Sequence, residues 1–283
     1  MSEIIIPDKK RLAELKRNIS KDGKGKFHVL SDFDRTLTRA FYNSNESKSI
    51  ISHLRNGNYL SEDYAKKAHE LYNKYHPIEI DSSVDIKEKM KKMEEWWKKH
   101  MELLVESGFD LKTLEKCVSD MIKEESLEFR AGAKELLKYL DKNKIPLVVI
   151  SSSLGDLIKE YLREKGVFYN NINVIGNNFI FDKKGNAKGY EKIIHVFNKH
   201  EFEIHNLKIY SELLKRKNVI LLGDSLGDLG MIEGFVYENL IKIGFLNENV
   251  ENNLEEFKKN FDIIILNDGD FDYVNNLISE LFN

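Results

Sequence analysis

The chain carries a single cysteine, Cys117, among its 283 residues, so an internal disulfide framework is excluded. Cys117 lies in the helical pattern Leu114-Glu115-Lys116-Cys117-Val118 with no thiolate-activating motif around it, where a small core residue is expected. No window approaches the ~18 consecutive apolar residues that a membrane span needs. The opening Met1 to Asp8 has a short apolar run but neither a basic leader nor a cleavage site of small residues, so a soluble, cytoplasmic protein is expected. An excess of one charge is missing too. Lysines and arginines number 44 against 47 aspartates and glutamates, a net charge of -3 that gives no footprint for a nucleic-acid polymer. Internal repeats and low-complexity tracts are also absent.

What is present is an α/β rhythm with one long interruption. At 41% hydrophobic residues the chain can bury a large core. Pro7 followed by Asp8 to Ile19 predicts a leading helix, ended by Gly23-Lys24-Gly25 before the strand His28-Val29-Leu30. From about Ser47 to Glu125 the pattern is helical and lysine- and glutamate-rich, with helices expected at Ser47 to Arg55, Ser61 to Tyr75, Val84 to Val105 and Leu111 to Glu124. The alternation then resumes. It runs through a helix from Ala131 to Asn143, the strand Pro146 to Ile150, a helix from Gly155 to Lys165 and a strand at Asn173 to Ile175. Asn178 to Asp182 with the turn Lys183 to Asn186 reads as a β-ribbon, and a helix near Ile204 to Lys215 follows. The strand Val219 to Leu222, a helix from Asp228 to Gly234, the strand Leu240 to Ile243, a helix near Val250 to Asn260 and the strand Asp262 to Leu266 complete the series. A doubly wound parallel sheet with an inserted helical unit is expected. Residues 1–45 hold the first helix and the start of the core, 46–126 the insert and 127–283 the rest of the core.

Two acidic runs follow buried strands: Asp32-Phe33-Asp34-Arg35-Thr36-Leu37-Thr38 and Gly223-Asp224-Ser225-Leu226-Gly227-Asp228. Carboxylates at the carboxyl ends of parallel strands can converge on one hard cation, in the crevice where open α/β sheets bind ligands. At a strand end, period-two geometry points Asp32 and Asp34 the same way. Alone, each run is also compatible with a solvated Asx turn or a turn followed by a helix cap. Two further features sit in register with them: Ser151 after Leu147-Val148-Val149-Ile150, and Lys199 in Ile194-His195-Val196-Phe197-Asn198-Lys199-His200. A helix N-cap is the alternative for Ser151, and an exposed ammonium for Lys199.

In this order the four features resemble the motifs of the haloacid dehalogenase (HAD) superfamily. Asn198-Lys199-His200, Tyr75-His76-Pro77-Ile78-Glu79-Ile80-Asp81, Met93-Glu94-Glu95-Trp96-Trp97, Gly155-Asp156 and Ile243-Gly244-Phe245-Leu246-Asn247 resemble one branch of it, the cytosolic 5′-nucleotidase III (pyrimidine 5′-nucleotidase) family, from about Val29 onward. The resemblance implies a HAD-like Rossmannoid core with an α-helical cap. It implies Mg²⁺ ligated by Asp32, Asp224 and the backbone carbonyl of Asp34, with Asp228 in the outer shell. Asp32 is then the nucleophile and Asp34 the general acid and base, while Ser151, Ser152 and Lys199 hold the phosphoryl oxygens. Glu79 would accept from a base amino group. Trp96 and Trp97 point about 100° apart on a helix, so one belongs to the core and the other, Trp97 by expectation, stacks on the base.

This chain departs from the family pattern at two places, with His100 where the family has a cap serine and Ser151-Ser152-Ser153 for its Ser-Ala-Gly. The function implied is Mg²⁺-dependent hydrolysis of nucleoside 5′-monophosphates, CMP and UMP preferred, by a monomer acting on a small molecule. Hydrolysis of 7-methyl-GMP and phosphotransfer to a second nucleoside remain open. A phosphatase for another small metabolite such as phosphoserine, and a catalytically silent nucleotide-binding module, are the competing readings.

Overall fold

The apolar runs are short and β-branched, which favours buried strands of a parallel sheet. The structure, a computed structural model, describes residues 2–42, 45–81, 83–199, 209–233 and 236–282. The chain opens with β1 (Ile4–Ile5), α1 (Lys9–Asp22) and β2 (Phe27–Ser31), then a small hairpin of β3 (Phe41–Tyr42) and β4 (Asn45–Glu46). The inserted helices are α2 (Ile50–Asn56), α3 (Glu62–Ile80), α4 (Ile86–Glu106) and α5 (Leu111–Lys123). The α/β series resumes with α6 (Ala133–Lys142), β5 (Leu147–Leu154), α7 (Gly155–Glu164) and β6 (Ile172–Asn177). A ribbon of β7 (Phe179–Phe181) and β8 (Ala187–Tyr190) leads to α8 (Tyr210–Leu213), β9 (Asn218–Gly223), β10 (Asn239–Leu246), α9 (Val250–Asn260), β11 (Ile263–Leu266) and α10 (Asp272–Phe282).

The main sheet has the order β1-β11-β10-β9-β2-β5-β6, parallel throughout except for β1, which pairs antiparallel with β11. From β2 the chain first builds outward through β5 and β6, then returns to build the other side through β9, β10 and β11. The winding therefore reverses at β2, and the carboxyl ends of β9, β2 and β5 open on one crevice. Alternate residues of each strand feed opposite cores. Val29, Ile220, Leu222, Ile241 and Ile243 join the large core beneath α1, α6 and α10, whereas Leu30, Val148, Ile150, Val219 and Leu221 join a second one with Leu213 and Met231. Each such side chain contributes roughly 1.5–3 kcal/mol on burial.

The helices begin where polar side chains can cap them. Asp8, Ser61, Asp85 and Asp110 accept from the free N–H groups of α1, α3, α4 and α5. Pro77 suggests that α3 should stop near Tyr75, yet the helix continues through it to Ile80. The loss of one backbone bond at proline is offset by packing. Tyr75 is fully buried and stacked on Trp96 at 6.0 Å, and Lys89 Nζ donates to the Glu79 carbonyl at 2.9 Å near the helix end. The structure also differs from the sequence expectation elsewhere. The segment after Asp224 is a 3-10 helix (Leu226–Ile232), and β1 and α10 are elements the sequence reading leaves unassigned. Residues 204–208 of the expected Ile204 to Lys215 helix and Gly234 lie outside the described residues. Cys117 is buried in the large core, and burial pushes its thiol up to about 12.

Candidate active site

Asp32 is the first residue past β2, and its N–H still donates to Leu222 O of β9 at 3.0 Å. Pairing of the two strands thus fixes its backbone beside that of Asp224, which follows β9 directly. One oxygen each from Asp32, Asp224 and Asp228 lies within 4.8 Å of the others. Lys199 Nζ donates to Asp32 Oδ1 at 2.5 Å and to Asp228 Oδ1 at 2.8 Å, with all three side chains buried. Burial alone would push the Lys199 ammonium down, but Asp228 and Asp32 outweigh it and hold it well above its ordinary value. Burial also drives the Asp32 carboxyl well up against the attraction of Lys199, and lifts Asp224 to about 7, with Asp228 adding to both. Three carboxylates face one ammonium, with Arg35 Nε 3.8 Å from Asp224, which leaves an excess of negative charge at the site.

Such a site fits a hard cation. Octahedral Mg²⁺ with ligands at about 2.1 Å spans roughly 4.2 Å between opposite oxygens, close to the spread of the three carboxylates. Their roles differ by hydrogen bonding. Asp228 Oδ2 already accepts from Asp224 N (3.0 Å), Ser225 N (2.9 Å) and Ser225 Oγ (2.9 Å), and its Oδ1 accepts from Lys199. That leaves Asp32 and Asp224 with the freer lone pairs toward a cation, and Asp228 as the group that orients the loop. Gly223 makes this packing possible through space alone, since a Cβ there would lie 2.5 Å from Asp228 Cβ.

The strand ends at Ser31, so Asp34 lies in the turn that follows; its Oδ1 accepts from Ile50 N at 2.8 Å, at the first turn of α2. Burial lifts the Asp34 carboxyl to about 6, opposed by that backbone donor and by Lys199 and Arg35. The rise thus comes from desolvation, with no part played by neighbouring carboxylates. Ser151 is buried within β5, where its Oγ accepts from Ser153 N at 3.1 Å. The helix that follows starts at Gly155, as the pattern predicts, while β5 runs past the expected end at Ile150 to Leu154, so Ser151 lies within the strand.

Beside Asp34 opens a cavity of about 570 Å³ between the sheet ends and the inserted helices. Ser152, Glu79, Trp97 and His100 all line it, as do Trp96, Arg55 and Tyr72. Both tryptophans reach the cavity, Trp96 as the more buried partner of Tyr75 and Trp97 half-buried against His100 at 6.1 Å. Glu79 accepts from His76 Nδ1 at 2.9 Å. His100 is buried, its Nε2 lies 3.2 Å from the Tyr64 hydroxyl, and burial followed by the charge of Arg55 drives it down to about 3. It is neutral at physiological pH. Sequence reasoning does not single out Arg35 or Arg55, and it names Ser153 only as part of a departure from the family pattern. Arg35, with φ 62, ties Glu46 and Glu248 together and lies 3.8 Å from Asp224, while the buried Ser153 Oγ has no partner among the described residues.

Carboxylates at the ends of adjacent central strands, a buried lysine across from them and a helical insert after the first strand define the HAD-like class of α/β proteins. A phosphoserine phosphatase solved as a phospho-aspartyl intermediate analogue shares this fold, with a TM-score of 0.51 at 18% identity over 89% of this chain and 97% of that one. The chain belongs to the pyrimidine 5′-nucleotidase (UMPH-1) family, whose model matches residues 35–282. It is 35% identical over 273 residues to the 7-methylguanosine phosphate-specific 5′-nucleotidase of Mus musculus, covering 96% of this chain and 90% of that protein. A solved cytosolic 5′-nucleotidase IIIB bound to cytidine superposes with a TM-score of 0.89 at 28% identity, covering 99% of this chain and 94% of that one. Membership makes the chain a 5′-nucleotidase, a phosphoric monoester hydrolase acting on small nucleotides. Among the described residues no helix is long and apolar enough to cross a membrane.

Proposed function

We propose that the chain hydrolyses nucleoside 5′-monophosphates, CMP and UMP preferred, to nucleoside and phosphate through an aspartyl-phosphate on Asp32. The observation that carries this reading is the cluster of buried Asp32, Asp228 and Lys199 with the half-buried Asp224, beside a cavity with an aromatic and histidine lining. Mg²⁺, held by Asp32, Asp224 and the backbone carbonyl of Asp34 with Asp228 behind them, supplies the charge neutralisation that lets an anionic nucleophile meet a phosphate dianion. Asp32 attacks phosphorus in line and splits one difficult displacement into two easier ones. Asp34, lifted to about 6 by burial, donates its proton to the departing ribose 5′ oxygen and then takes one from the hydrolytic water. Lys199, Ser151 and Ser152 hold the phosphoryl oxygens, where positioning and charge stabilisation matter most.

Residues 46–126 act as a cap that closes over the nucleoside and excludes water. In it Glu79 accepts from a base amino group, Trp97 stacks on the base and His100 closes the far wall. We take the enzyme to act as a cytoplasmic monomer, with transfer of the phosphoryl group to a second nucleoside as a side reaction. A second reading, hydrolysis of 7-methyl-GMP, is favoured by the name of the Mus musculus relative. Turnover of CMP, UMP, AMP, 7-methyl-GMP and phosphoserine, each with and without Mg²⁺, tests the proposal. Mg²⁺-dependent release of phosphate from CMP and UMP is expected, and rapid phosphoserine turnover with none on nucleotides would overturn it.

A further inference from the structure

Two arginines are buried among the described residues, and they differ in what answers their charge. Arg130 is paired with Asp268 at 2.8 Å and donates to three backbone carbonyls. Arg55, only 8% exposed, sits on α2 in the cavity wall and has no carboxylate partner among the described residues. Among the described residues its one hydrogen bond runs from Nη2 to Ser52 Oγ at 3.0 Å, and its buried Nε has no partner. A buried guanidinium with unused donors is costly unless something completes it. Its position shows what is missing. The guanidinium carbon lies 4.2 Å above the centroid of Tyr72, and His76 stacks on the same ring at 4.7 Å and 17°. Both groups crowd the Tyr72 ring, which leaves little of it for a base. The electron-rich face that would attract a cationic ligand is already taken by a cation of the protein itself.

We propose that Arg55 is a specificity-determining residue of this cavity: it donates to a carbonyl oxygen of a neutral base and excludes bases with a fixed positive charge, such as 7-methylguanine. The proposal rests on the nucleotidase reading above and decides between its two substrates. A planar guanidinium suits a carbonyl acceptor. A like charge brought into the same cavity is repelled by the guanidinium. No feature of the acidic run marks this position. In the sequence Arg55 is one more basic residue on a short helix, and only its burial without a counter-ion sets it apart.

The test compares kcat/KM for UMP and 7-methyl-GMP at mildly acidic pH, where the methylated base keeps its full charge. For the unaltered enzyme UMP is expected to lead by at least about tenfold. In Arg55→Gln the ratio should move toward 7-methyl-GMP by about tenfold or more, whereas Arg55→Lys, which keeps the charge, should continue to reject it. An unchanged ratio in Arg55→Gln, or a preference of the unaltered enzyme for 7-methyl-GMP, overturns the proposal. Should circular dichroism show that the glutamine variant is unfolded, competition against p-nitrophenyl phosphate turnover by the unaltered enzyme decides. Uridine must then inhibit at least about tenfold better than 7-methylguanosine, and equal inhibition overturns the assignment. Turnover of p-nitrophenyl phosphate with none of any nucleotide instead removes the nucleotidase reading, and this proposal with it.

Discussion

Replacing Lys199 by methionine removes the one ammonium that Asp32 and Asp228 share, at 2.5 and 2.8 Å, while keeping the length of the side chain. Deleting one member of a buried ion pair leaves its partner charged and dry, at a cost of about 3–5 kcal/mol. Here two carboxylates lose the same cation, so the upper part of that range is expected for Lys199→Met without divalent metal. The pH dependence follows in sign. A lysine whose folded pKa is raised contributes its full stability below the unfolded value and loses it only as pH rises through the folded one, so at pH 8 the whole effect is present. Near pH 5 the defect shrinks, because the Asp32 and Asp224 carboxyls, already raised, can take up protons and shed their charge. Saturating Mg²⁺ should restore part of the loss by supplying positive charge to the same oxygens. Urea denaturation at pH 5 and 8, with and without Mg²⁺, measures all four quantities. A loss below about 1 kcal/mol at pH 8 without metal, or no recovery with it, would refute the idea that Lys199 and the cation neutralise one cluster.

Other expectations can be checked separately. Asp34→Asn keeps an acceptor for Ile50 N but removes the proton for the leaving group. UMP turnover should drop about 10²- to 10⁴-fold while p-nitrophenyl phosphate, with its better leaving group, loses far less; equal losses would argue against the acid role. Gly223→Ala would place a methyl group 2.5 Å from Asp228 Cβ, forcing the ligand loop aside, and the Mg²⁺ concentration needed for half-maximal activity should rise. Burial depresses His28 to about 4, His53 to about 4 and His100 to about 3, so the unfolded chain binds more protons between those values and about 6.5. Stability should therefore fall as pH drops through that window, by about 3 kcal/mol at pH 4 for His28 alone, as read from urea midpoints.

The sheet is legible because its signals are local. A run such as Val219 to Leu222 has no amphipathic face, and a strand buried on both sides needs none. The acidic runs are legible because strand pairing carries Asp32 and Asp224 to one edge without help from distant contacts. The rest depends on packing that no local pattern encodes. α3 continues past Pro77 because Trp96 lies on Tyr75, a contact between helices. β5 runs past the expected end at Ile150 and takes in Ser151 to Ser153, since its extended end pairs Leu154 with Asn177 of β6. α10 has its signal in the open, with Val274, Leu277, Ile278 and Leu281 buried at helical spacing, yet no motif draws attention to it. Arg55 stands at the other extreme: it shares the buried face of α2 with Ile51 and Leu54, where an apolar residue would be expected.

The central claim is that Asp32 becomes phosphorylated. Enzyme mixed with excess CMP and Mg²⁺, quenched in acid within milliseconds, reduced with borohydride and digested, should carry its modification on the peptide containing Asp32, as homoserine at that position. Asp32→Asn should give neither the modified peptide nor phosphate. Modification at another residue, or phosphate release surviving unchanged in Asp32→Asn, would contradict the account.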